Sequence, residues 1–102
     1  MKILCITPIT DTMMKNLLSK GEVSYYPNLK KKQIRDLLTL KKYDVIFTNP
    51  NKQNFMLDED LLCGSGITTI CTASTGLNHI DMAYCKKNKI KTLSITKDYV
   101  IL

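Results

Sequence analysis

The chain has 102 residues, enough for one domain with a single hydrophobic core. Its composition, 44% hydrophobic and 24% charged, is typical of a globular protein and argues against disordered and membrane-spanning classes. The apolar runs are far shorter than the roughly 18 residues of a membrane span, and no secretory signal is recognisable. We therefore expect a cytoplasmic protein with no membrane partner.

The formal net charge is +6, and 14 of the 15 basic residues are lysine. Only Arg35 offers the planar fork that recognises phosphate or guanine with two hydrogen bonds. Lysine clusters at residues 30–32, 41–42 and 86–87 are separated along the sequence and fall on predicted exposed helix faces or turns. The charge therefore predicts solvated faces, and no nucleic-acid partner is expected.

Strand-like and helix-like segments alternate along the chain. Strands are predicted at residues 2–6, 23–26, 43–48, 67–71 and 91–95. Helices are predicted from a cap at residue 11 or 12 to residue 20, and at residues 31–40, 57–63 and 78–88. The apolar spacing predicts that Leu18 in the first helix and Leu40 in the second face inward with their neighbours.

This alternation is typical of a parallel sheet with helices on both faces. The strands are continuous apolar runs, as expected when both faces of a sheet are covered. Right-handed crossovers leave few topologies. The predicted fold class is α/β, a flavodoxin-like five-stranded parallel sheet of order 2-1-3-4-5 with helices on both faces.

Four cysteines and a single histidine give no metal or redox pattern. Cys5 and Cys71 lie within predicted strands, and no pair has C-x-x-C spacing. Buried free thiols behave as small apolar groups. We therefore predict structural cysteines and no metal site.

The carboxyl ends of the predicted strands carry hydroxyls, amides and two lysines, but no carboxylate. Ligands of open parallel sheets bind at that edge. Within the segment TASTGLNHID, residues 72–81, Gly76 permits a sharp turn and close approach of the backbone to a ligand. The N–H groups of Thr75 and Gly76 are candidates for a concave anion site, with Lys52 adding attraction from the neighbouring loop.

The residues alone leave a second interpretation open. The same segment is also compatible with an ordinary strand-to-helix turn, in which Asn78 caps the helix and Asp81 completes a capping box. His79 is expected to be a surface residue at the helix start rather than a catalyst.

The run ASTGLNHID, residues 73–81, resembles the S-x-G-x-D-x-I-D segment of the NAD-dependent D-2-hydroxyacid dehydrogenases, with Asn78 where that family has Asp or Asn. The resemblance implies the N-terminal substrate-binding (catalytic) domain of an oxidoreductase. It implies that the N–H groups of Thr75 and Gly76 bind the carboxylate of a 2-hydroxy or 2-keto acid. Candidate residues that line the same cleft are Asn49, Asn51 and Lys52.

The resemblance also implies what lies outside the segment. The family's G-x-G-x-x-G fingerprint and its catalytic Arg, Glu and His do not occur here. Residues 1–95 would form the substrate domain, and residues 96–102 would begin a crossover to a cofactor domain beyond a truncated chain. NAD or NADP would bind mainly to that domain, and a homodimer is expected. This segment alone is predicted to be inactive, with no catalytic or cofactor-binding residues of its own.

One departure from the family concerns the last helix. Lys89 stands where the family commonly has Gly, and we expect Asn88 to take the left-handed position instead.

Two alternative functions remain at this point. One is a stand-alone α/β binding or interaction module, for which the length is suitable. The other is a phosphotransfer subunit that carries phosphate on Cys5. That chemistry needs the thiol at the carboxyl end of its strand with small residues around it, whereas Cys5 lies within the strand and precedes Ile6, Thr7 and Pro8.

Overall fold

The computed structural model describes residues 1–49, 55–73 and 77–95, in which five strands and four helices alternate. The strands are β1 (Lys2–Cys5), β2 (Glu22–Tyr25), β3 (Val45–Thr48), β4 (Thr69–Thr72) and β5 (Lys91–Ser94). The helices are α1 (Asp11–Lys20), α2 (Lys31–Leu40), α3 (Glu59–Leu62) and α4 (Met82–Lys87). No helix in these ranges is long and apolar enough to cross a membrane.

All five strands pair in parallel in the order β2-β1-β3-β4-β5. This arrangement confirms the predicted flavodoxin-like fold class. The central pairs bring Ile3 opposite Val45 and Ile46 opposite Ile70. The chain runs outward from β1 to β2 and then in the other direction from β3 to β5. The strand order therefore reverses between β1 and β3.

Alternating strand residues divide the core into two clusters, one on each face of the sheet. The α1 face contains Met13 and Leu17 of the helix together with Ile3, Phe47 and Cys71 of the strands. The opposite face is covered by α2, α3 and α4. Its buried residues include Leu4, Ile34, Leu38, Ile46, Leu61, Leu62, Ile70 and Cys85. This division explains why the central strands are apolar at successive positions.

The apolar faces of α1 and α2 are narrower than the sequence predicts. Leu18 is 56% exposed and Leu40 is 82% exposed, so the prediction that they face inward is wrong. Successive helical residues are about 100° apart, so Leu18 and Leu40 point away from the sheet while Leu17 and Leu38 are buried against it. Two leucines are thereby left in solvent at the last turns of their helices.

Two helix starts also differ from the predicted positions. Thr10, rather than Asp11 or Thr12, caps α1, because its hydroxyl accepts a hydrogen bond from the N–H of Met13 at 3.1 Å. Asp81, rather than Asn78, caps α4, and its Oδ1 accepts from the N–H of Tyr84 at 3.0 Å. The capping-box interpretation therefore assigned Asp81 the wrong role.

The end of α4 corrects the expectation for Asn88. Asn88 has φ −101°, and Lys89 itself takes the left-handed conformation at φ 58°. The N–H of Ile90 bonds to the carbonyl of Cys85 at 2.8 Å, and that of Lys89 reaches the carbonyl of Lys86 at 3.4 Å. This pattern is a Schellman motif, which places Lys89 at the position that glycine usually occupies.

Replacing Lys89 with glycine is therefore expected to stabilise the chain. A left-handed conformation costs a non-glycine residue about 1 kcal/mol, and the exposed Lys89 side chain contributes little in return. Chemical denaturation should show Lys89→Gly more stable by about 0.5–1 kcal/mol. The matched control, Lys87→Gly in the last helical turn, should lose about 1 kcal/mol. A loss in both variants would contradict the assigned motif.

Candidate functional site at the carboxyl edge of the sheet

Parallel pairing brings the carboxyl ends of β1, β3 and β4 side by side at one edge. Because the strand order reverses between β1 and β3, the connections that follow these two strands lead to helices on opposite faces of the sheet. The resulting crevice is where ligands of open α/β sheets bind. The connections that follow β1, β3 and β4 therefore define the candidate site.

Each of these three strands leads into a fully buried threonine: Thr7 after β1, Thr48 in β3 and Thr72 in β4. Among the described residues, the hydroxyls of Thr7 and Thr72 have no hydrogen-bond partner. A buried polar group without a partner costs roughly 1–3 kcal/mol. A ligand or a neighbouring loop that bonded to these hydroxyls would remove that cost.

Backbone hydrogen bonds join the β3–α3 and β4–α4 connections at both of their ends. Where the connections begin, the N–H of Ala73 bonds to the carbonyl of Thr48 at 2.9 Å. Where they end, Leu57 pairs with Ile80 in an isolated parallel bridge. There the N–H of Leu57 bonds to the carbonyl of His79 at 2.8 Å, and the N–H of Asp81 to the carbonyl of Leu57 at 2.9 Å. The two connections are therefore held next to each other as a pair, which we call the loop frame.

The loop frame spans the positions of all five predicted site residues. Asn49 follows β3 directly and is half-buried at the carboxyl edge, where the sequence predicts it. Asn51, Lys52, Thr75 and Gly76 lie outside the described residues, so their contacts remain predictions.

His79 is the residue whose environment the sequence analysis missed. It was expected at the surface, yet it is only 8% exposed. Neither ring nitrogen has a hydrogen-bond partner within residues 1–49, 55–73 and 77–95. Burial lowers the pKa of the imidazole below 6.5, so His79 is held neutral. Its burial accompanies the Leu57–Ile80 bridge, a long-range pairing that no local sequence pattern signals.

Two ion pairs join α2 to the start of α3 beside the loop frame. Lys31 contacts Asp58 at 2.9 Å, and Arg35 contacts Asp60 at 3.2 Å. Both pairs are partly exposed, so each contributes at most about 1 kcal/mol. These four charged side chains are therefore engaged with each other. In the part of the chain that the structure describes, no group of three or more His, Cys, Asp or Glu could hold a metal ion.

Three of the four cysteines are buried. Cys5, Cys71 and Cys85 are buried, whereas Cys63 is exposed at the end of α3. Burial raises the pKa of both Cys5 and Cys71 to about 11, so both remain thiols at neutral pH. The Cys5 thiol donates a hydrogen bond to the carbonyl of Thr7 at 3.2 Å. A protonated, fully buried thiol is a poor nucleophile.

The fold defines a class, the open parallel α/β domains, whose ligands bind at the carboxyl ends of the strands. Residues 3–100 match the family model described as D-isomer specific 2-hydroxyacid dehydrogenase, catalytic domain. The chain therefore belongs to that family. A search of curated proteins gave no match.

Solved structures show the same fold at low sequence identity. The PH0520 protein from Pyrococcus horikoshii OT3 has a TM-score of 0.80 at 15% identity, with 92% of this chain and 27% of that chain covered. A glyoxylate reductase from Paecilomyes thermophila has a TM-score of 0.76 at 18% identity, with 91% of this chain and 31% of that chain covered. An NAD-dependent formate dehydrogenase from Staphylococcus aureus, in complex with NAD, has a TM-score of 0.67 at 20% identity, with 94% of this chain and 31% of that chain covered. The chain thus spans about a third or less of each of these proteins.

The buried His79 predicts a pH-dependent stability. An unfolded chain takes up a proton near pH 6.5, whereas the buried imidazole does so only at lower pH. The free energy of unfolding should therefore decrease as pH falls from about 7.5 to about 5.5, a window above the titration of the carboxylates. His79 is the only histidine, so His79→Leu should largely remove this decrease.

Denaturant titrations across that pH range provide the measurement. Because no described residue pairs with the ring nitrogens, His79→Leu should be at least as stable as the unchanged chain at neutral pH. The neighbouring exposed control, Asn78→Ala, should retain the full decrease. If the free energy of unfolding of His79→Leu still decreases as the pH falls, another group is responsible.

Proposed function

We propose that this chain is the substrate-binding part of a nicotinamide-dependent oxidoreductase that interconverts a 2-hydroxy acid and a 2-keto acid. Family membership supports the reaction class. The structural observation that carries the proposal is the loop frame, which holds two polar connections together at the carboxyl edge of the sheet. A small anionic ligand at this edge would lie beside the hydroxyls of Thr7 and Thr72, which have no hydrogen-bond partner among the described residues.

The proposed role of residues 72–78 is to hold the carboxylate of the acid. The N–H groups of Thr75 and Gly76 would each donate a hydrogen bond to a carboxylate oxygen, and such charge-assisted bonds contribute roughly 1.5–3 kcal/mol each. Asn49, Asn51 and Lys52, on the connection after β3, would orient the same ligand from the other side of the loop frame. Lys52 adds long-range attraction, but an exposed ion pair is worth only about 0–1 kcal/mol.

The proposed cofactor is NAD or NADP, which exchanges a hydride with C2 of the acid when it is bound. The chain carries no G-x-G-x-x-G sequence, and its described carboxyl edge lacks a helix start with that glycine pattern. These residues therefore fit the acid better than a dinucleotide. We propose that sequence outside these 102 residues binds most of the cofactor, with residues 1–95 forming the substrate domain and residues 96–102 the start of the connection.

The phosphotransfer alternative receives no support from the environment of Cys5. That thiol is fully buried, its pKa is raised to about 11, and it already donates to the carbonyl of Thr7. A phosphate carrier needs an accessible thiolate surrounded by N–H groups. No described feature favours a stand-alone interaction module over the dehydrogenase domain.

The carboxylate grip is tested by substitutions at Thr75 in the 102-residue chain. Thr75→Pro removes one backbone N–H, so the affinity for pyruvate should fall about tenfold or more in isothermal titration. Thr75→Ala keeps the N–H and should bind within about twofold of the unchanged chain. Circular dichroism establishes that both variants fold. Equal binding by all three chains would contradict the proposed grip, and so would a loss caused by Thr75→Ala.

A further inference from the structure

The fold gathers lysines that are scattered along the sequence onto the edge opposite the candidate site. Strands begin there and helices end there, because each helix returns the chain to the start of the next parallel strand. We call this surface the lysine edge. Its exposed lysines are Lys2, Lys20, Lys41, Lys42, Lys86, Lys87, Lys89 and Lys91. Backbone bonds connect its parts, including Glu22 N–H to Met1 carbonyl and Asp44 N–H to Lys2 carbonyl.

The lysine edge accounts for the net charge of the whole chain. Its eight lysines are opposed by two carboxylates, those of Glu22 and Asp44, so its formal charge is +6. The net charge of the chain is also +6, so the other seven basic and seven acidic residues cancel. Asp44 is also engaged, since its Oδ2 accepts a hydrogen bond from the N–H of Lys2 at 2.8 Å. The formal charge of the lysine edge therefore equals the net charge of the chain.

Helix polarity explains only part of this concentration. Lysines favour the last turn of a helix, where the dipole is negative, and this accounts for Lys20, Lys86 and Lys87. It does not account for Lys2 and Lys91 at the starts of strands. The excess lysines generate a positive field that extends outward over roughly a Debye length, about 8 Å in physiological salt.

The same edge exposes apolar side chains. Leu40 is the most exposed large apolar residue described and directly precedes Lys41 and Lys42, and Leu18 lies near Lys20 in the last turn of α1. Leu18 and Lys20 also line a cleft of about 500 Å³ with Met1 and Lys2. The two leucines project from helices on opposite faces of the sheet, so apolar groups flank the lysines on both sides.

In contrast to the expectation from sequence of solvated lysines and no membrane partner, we propose that the lysine edge binds the surface of an anionic phospholipid membrane. Lysines interspersed with exposed leucines match the chemistry of such an interface, where cations meet acidic headgroups and apolar side chains enter the acyl boundary. A nucleic acid would use the lysines but would gain little from Leu18 and Leu40, and it would favour aromatic or arginine contacts. Binding of this kind is peripheral and leaves the carboxyl edge of the sheet free for the acid.

Co-sedimentation with vesicles tests the proposal in the 102-residue chain. We expect binding to vesicles of two parts phosphatidylcholine to one part phosphatidylglycerol, and at least tenfold weaker binding to phosphatidylcholine alone. Raising the salt concentration to about 1 M, where the Debye length is about 3 Å, should abolish most of it. No binding to the anionic vesicles, or equal binding to both kinds, would overturn the proposal.

Two sets of matched variants separate the lysine edge from net charge. Lys20→Gln, Lys41→Gln and Lys87→Gln together should reduce vesicle binding about tenfold. The control set, Lys15→Gln, Lys30→Gln and Lys32→Gln, removes the same charge from exposed lysines elsewhere and should reduce it no more than about threefold. Equal losses from the two sets would overturn the proposal.

The exposed leucines distinguish a membrane from other polyanions. Leu18→Ser with Leu40→Ser should weaken vesicle binding about fivefold, while leaving thermal stability nearly unchanged because both side chains are exposed. Duplex DNA of mixed sequence serves as the competing ligand. DNA binding as tight as vesicle binding, together with vesicle binding that is unaffected by the leucine substitutions, would overturn the assignment to a membrane.

Discussion

Parallel strand pairing is the constraint on which the other features of this chain depend. It forces every strand-to-helix connection to one edge of the sheet and every helix-to-strand return to the other. The candidate acid site and the lysine edge are therefore separated by the length of the strands. The strand order also reverses between β1 and β3, and this backbone topology alone produces a crevice, whatever the side chains are.

The loop frame adds definition to that crevice. Its bonds are almost entirely between backbone groups, from Ala73 to Thr48 and across the Leu57–Ile80 bridge, so it tolerates variation in side chains. This is consistent with a fold retained at 15–20% identity in the structures compared above. Under the proposed function, specificity would depend on side chains within the frame, such as Asn49, and the frame would position the bound acid.

Sequence reasoning predicted the features that depend on local pattern. The apolar runs at residues 43–48 and 67–71 identified central strands, and the period of α2 was sufficient to place both of its ends. Sequence reasoning failed where tertiary contacts decide which of several nearby residues takes a role, such as capping a helix. Asp81 caps the N–H groups at the start of α4 because it directly follows the Leu57–Ile80 bridge and precedes the helix. Asn78 lies further back, in a turn closed by the hydrogen bond from the N–H of Ile80 to the carbonyl of Leu77 at 3.0 Å. The same bridge accompanies the burial of His79, and local spacing could not indicate it.

The central claim is that the carboxyl edge, and specifically the loop frame, binds a small acid. Amide chemical-shift mapping of the isotopically labelled 102-residue chain during titration with pyruvate tests it most directly, since the lysine edge offers a competing site for any anion. If the loop frame binds the acid, the largest shifts will fall on Asn49 and on residues 73–79, with little change at the lysine edge. Shifts concentrated at Lys20, Lys41 and Lys87, or no shifts at all, would contradict it.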